Sequence, residues 1–83
     1  MLGLIQLQVL LGLKDKHIQP KSEYVLECLH KFGIKSKEQA AITINRLIKD
    51  GYVRENTQGL IRLERLPNLA EEKAAIGRIY VMM

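Results

Sequence analysis

The hydrophobic period changes at Gly51, and that change limits what this chain can fold into. Before it, apolar residues recur every three or four positions; after it, they alternate. A helical part must therefore hand over to a hairpin within one short stretch. The helix just before the change has the strongest start signal in the sequence. Ser36-Lys37-Glu38-Gln39 reads as a capping box, in which Ser36 accepts from the Gln39 amide and the Gln39 side chain reaches back. Ala40, Ile44, Leu47 and Ile48 give its buried stripe, and Gly51 is its stop after Lys49-Asp50.

Upstream, Ser22 is a good N-cap for a preceding helix, with Glu23 in the first turn where the helix dipole favours an acid. Val25, Leu26, Leu29 and Phe32 form its core-facing stripe, Gly33 stops it, and Gly33-Ile34-Lys35 is the turn. Met1–Leu13 is apolar on nearly every side of a helix, so it must be covered on nearly every side. Alternation in Ile5-Gln6-Leu7-Gln8-Val9 also fits a strand, but length and Leu/Gln composition favour helix. Lys14-Asp15-Lys16-His17 is a polar break, and Pro20 ends any helix reaching it.

Downstream, Tyr52-Val53-Arg54-Glu55 and Leu60–Leu66 read as strands joined by the turn Asn56-Thr57-Gln58-Gly59, with Pro67 closing the hairpin. Asn68-Leu69-Ala70-Glu71 starts a further helix running through Ala74, Ala75, Ile76, Ile79 and Tyr80. Gly77 and Ile79-Tyr80-Val81 leave a strand open for the final residues.

At 83 residues, 47% of them hydrophobic, the chain builds one core and not two. Its net charge of +4 permits a polyanionic partner without requiring one. The excess lies in residues 1–66, because residues 67–83 carry two bases against two acids. A lone cysteine, Cys28, excludes an intramolecular disulfide and suits a reducing compartment. Cys28 and His30 are two positions apart on one helix and point to different faces, so they make no nucleophile pair; Cys28 reads as a small buried apolar residue. No phosphate loop, carboxylate pair or metal spacing is present, so neither an enzyme nor a cofactor is expected. The apolar opening lacks a charged leader and is too short to span a bilayer, so no membrane partner is expected and the location is cytoplasmic. Tyr24, Tyr52 and Tyr80 do not form a base-stacking platform, which argues against single-strand binding.

Helix, helix, short turn, helix, hairpin is the order of a winged helix-turn-helix: a mainly α fold with a three-helix core, a small β-hairpin wing and here an extra C-terminal helix. Gly33-Ile34-Lys35-Ser36 with Leu47-Ile48-Lys49-Asp50-Gly51, and the strand Gly59-Leu60-Ile61-Arg62-Leu63, resemble the turn, recognition helix and wing of the amino-terminal domain of LexA-type repressors. The resemblance covers residues 2–66. It implies that helix 36–50 enters the major groove of duplex DNA and that hairpin 52–66 holds the backbone, as in a transcriptional regulator. Lys35 and Lys37 then approach phosphates, Gln39, Thr43 and Arg46 sample base edges, and Arg54, Arg62 and Arg65 serve the wing; Ser36, Glu38 and Ile42 complete the reading surface. Leu29 departs from the family, which usually has a small residue there, and Ile42 suits a base edge only against a thymine methyl. The family's Ser/Lys self-cleaving domain has no counterpart in these residues, and autoproteolysis is not expected.

The expected organisation is a winged domain over 1–66 and a helical extension over 67–83. With Met1–Leu13 and the apolar tail Ile76, Ile79, Tyr80, Val81, Met82 and Met83 both needing cover, the extension is a candidate homodimer element. The alternative function is a protein-interaction module, a subunit or assembly adaptor that binds no DNA. Glu38, Ile42 and Ile48 on the third helix would favour it to the extent that they are exposed.

Overall fold

The computed structural model describes residues 3–14, 16 and 18–74. Its elements run α1 (Leu4–Gly12), β1 (Gln19–Pro20), α2 (Lys21–Lys31), α3 (Lys37–Lys49), β2 (Val53–Glu55) and β3 (Leu60–Leu63), and residues 69–74 are helical again. The result is a mostly helical fold with a small three-stranded antiparallel sheet of order β1-β3-β2.

Leucine and glutamine are good helix formers, and α1 begins where the Gly3 amide donates to Gln6 Oε1 at 2.9 Å. Leu7, Val9, Leu10 and Leu13 are buried, while Ile5 and Leu11 stay outside. The strand alternative for this segment is therefore not taken. α3 packs against both α1 and α2, so its stripe of Ala40, Ile44 and Leu47 has no solvent exposure. Ile48, expected in the same stripe, is half-buried at its edge.

Two expectations for α2 are corrected. Ser22 is not the N-cap; that position falls on Pro20, and the helix starts at Lys21. The Lys21 amide finds its partner in the Gly59 carbonyl at 2.9 Å, so the start is set by the hairpin turn and not by a side-chain cap. Leu26 is not in the core but exposed; Tyr24 and Cys28 take the buried side with Val25. Leu29 and Phe32 pack against the core from its margin.

Gly33 and Gly51 close α2 and α3 in the left-handed region, at φ 65° and 85°. At Gly51 the ending is complete: its amide reaches the Ile48 carbonyl and the Tyr52 amide reaches that of Leu47, at 3.1 and 3.0 Å. The Ser36 hydroxyl accepts from the Gln39 amide at 3.1 Å; among the described residues the return bond of the capping box is not formed.

The expected hairpin is present, but its second strand ends at Leu63 and not at Leu66. Beyond Leu63 the amides of Glu64 and Arg65 both turn to the Tyr52 carbonyl, at 2.8 and 3.2 Å, which bends the chain off the ladder. Asn56 Oδ1 accepts from the Gln58 and Leu60 amides and so builds the turn. The strand β1 was not expected; it pairs Gln19 with Ile61 and Pro20 with Leu60, making β3 the central strand and burying Ile61.

At the carboxyl end, Asn68 Oδ1 accepts from the Glu71 amide at 2.8 Å and Glu71 Oε1 accepts from the Asn68 amide at 3.2 Å, a reciprocal cap where the last helix was expected to start. Its continuation through Ala75, Ile76, Ile79 and Tyr80, and the apolar tail, lie outside the described residues. Among the described residues no helix is long and apolar enough to cross a membrane.

Candidate nucleic-acid interface

Helical rotation sorts α3 into two sides. Ala40, Ile44 and Leu47 face inward, which sends Glu38, Ile42, Asn45, Arg46 and Lys49 outward, all of them exposed. Lys35, Lys37 and Gln39 are exposed at the leading end, and Ser36, half-buried, is occupied as the cap. Thr43 is half-buried and its hydroxyl donates back to the Gln39 carbonyl at 2.8 Å, so its proton is not available to a base edge. Asn45 and Lys49 were missed by sequence reasoning, although their spacing from Glu38 and Ile42 places them on this face. Asn45 Oδ1 accepts from the Lys21 ammonium at the start of α2.

A shallow groove runs between α1 and the outer side of α3. Ile5, Ile34 and Ile42 give it apolar lining, and Lys35, Gln39 and Arg46 border it. Ile5 had no signal in the sequence, because its place depends on how α1 docks.

The cations divide sharply by location. Glu27 accepts from both Lys16 and Lys31, and these bonds hold its carboxyl below the usual range. Lys21 lies 3.8 Å from Glu55. Arg65 stacks over the Tyr52 ring at 4.0 Å and meets Glu71 at 3.3 Å, which takes it out of the expected wing contacts. Among the described residues Lys14, Lys35, Lys37, Arg46, Lys49 and Lys73 make no ion pair, and four of these six belong to α3 and the turn before it.

The hairpin arginines are less free. Arg54 and Arg62 face each other across β2 and β3, where like charges repel. Glu64 relieves the repulsion by approaching both, at 3.9 and 3.5 Å. Arg54 and Arg62 are nonetheless exposed, and border a second shallow depression with Ile18, Asn56 and Leu60.

Cys28 is fully buried, and burial pushes its thiol up to about 11. Among the described residues no three of His, Cys, Asp and Glu gather where they could hold a metal. No family model, no curated protein and no solved structure matches this chain.

Proposed function

We propose that this chain is a winged helix-turn-helix protein that binds double-stranded DNA, a sequence-specific transcriptional regulator. In this reading α3 enters the major groove and the β2–β3 hairpin is the wing against the neighbouring backbone. The observation that carries it is that, among the described residues, cations without an acidic partner concentrate on α3 and its leading turn, while most of the others are neutralised by acids. Binding a polyanion depends on cations free to replace its counterions. The helix is about 20 Å long at 1.5 Å per residue, and a major groove about 12 Å wide admits one helix.

The test is duplex binding followed by fluorescence anisotropy across a salt titration. Affinity falls steeply with salt as phosphate contacts release counterions. Arg46→Ala weakens preferred sequences more than random ones, by about 1–3 kcal/mol if the guanidinium reads a base. Lys37→Ala weakens all sequences alike. A second reading, a protein-interaction module, draws on Ile5 and Ile42, two half-exposed isoleucines facing one groove. It requires that no duplex is bound even at low salt.

A further inference from the structure

We propose that Ile42 is a specificity-determining residue of the α3 surface and contacts the 5-methyl group of thymine. The inference rests on the DNA-binding reading above and names what that surface selects. Ile42 stands two positions from Ala40, about 200° round the helix, so it projects almost directly away from the core. It is 50% exposed, and its exposed neighbours on α3 are Glu38, Gln39, Asn45, Arg46 and Lys49. An apolar side chain at the centre of a polar face is stabilised by whatever apolar group it can meet. Ile5, also 50% exposed, lines the same groove but leaves Ile42 half open.

The surroundings decide the kind of occupant. Lys35 and Arg46 border the groove, with Lys37 and Lys49 on the same helix and its leading turn, and these four cations outnumber the acids Glu38 and Asp50, so the surface favours an anionic occupant with a small apolar projection. Duplex DNA supplies both, since thymine alone among the bases presents a methyl group in the major groove. Phosphates would meet the cations, and the methyl would cover Ile42.

The experiment first enriches preferred sequences from a random duplex pool with the full chain. Each thymine of the best sequence is then replaced by deoxyuridine, which deletes the methyl and leaves the pairing edge and phosphates unchanged. One or two positions are expected to lose affinity by about three- to fivefold, the factor equivalent to about 0.8 kcal/mol for one buried methyl. That loss disappears in Ile42→Ala and persists in Ile42→Val. The side chain is half exposed, so Ile42→Ala should keep its thermal melt, which separates a lost contact from a lost fold. The proposal is overturned if no thymine responds to demethylation, or if the response survives in Ile42→Ala. Failure of the underlying reading has a different signature: the unmodified chain binds no duplex at low salt, which overturns both.

Discussion

Tyr24 joins two elements through one side chain. Its ring is buried in the core and its hydroxyl donates to the Val9 carbonyl of α1. That carbonyl needs a partner, because the Leu13 amide turns instead to Leu10 at 3.0 Å as the helix ends. Burial raises the Tyr24 hydroxyl far above its ordinary titration, so it remains a donor across the working pH range. Tyr24→Phe keeps the ring and strands the carbonyl, and should cost about 1–3 kcal/mol in urea denaturation. Gly12 allows this close approach: a Cβ there would lie 2.5 Å from the Tyr24 oxygen and 3.0 Å from the Phe32 ring. Cys28, beside it in the core, should resist alkylation at neutral pH in the folded protein and react at the rate of opening, which a timed thiol assay with and without urea would measure. Cys28 was legible as a small buried residue, but Tyr24 was not. Leu26 is the more hydrophobic side chain, yet it lies two positions from Tyr24 and so on nearly the opposite side of α2. Rotation outranks hydrophobicity once a helix has neighbours.

The ends of α3 show which elements can be read locally. Ser36 and Gly51 act through bonds to residues within five positions, so their chemistry is written in the adjacent sequence. Ser36→Ala should cost about 1 kcal/mol. Gly51→Ala should cost about as much, because a side chain at φ 85° is strained although the surrounding space is open. Thermal melts of the two single variants would check both, and an unchanged melting temperature in either would remove that cap from the account. The strand β1 is the opposite case. Two residues, one of them proline, carry no strand period, and they are extended because β3 offers its free edge. The turn that leads into β3 moved the start of α2 away from Ser22, through the Gly59 carbonyl.

At the scale of the molecule, charge among the described residues is distributed to leave α3 without acidic partners and the β2–β3 hairpin restrained. Much of the α3 face followed from helical period, but the condition of Arg54 and Arg62 did not, since it depends on the register that sets them opposite each other beside Glu64. Glu64→Gln removes that negative charge while keeping the side chain's shape. If the wing touches phosphates, duplex affinity should rise modestly and its salt dependence steepen; equal affinity in variant and parent would show that the wing stays clear of the backbone. The join between β1 and β3 also has a kinetic consequence. It brings Gln19 to Ile61, whereas the α2–α3 turn is closed by near neighbours. Closing the longer span forfeits more chain entropy, so the helical pair should assemble in the folding transition state and the β1 seam afterwards. Substitutions in the α2–α3 interface would then slow refolding, and those at Gln19 would chiefly hasten unfolding.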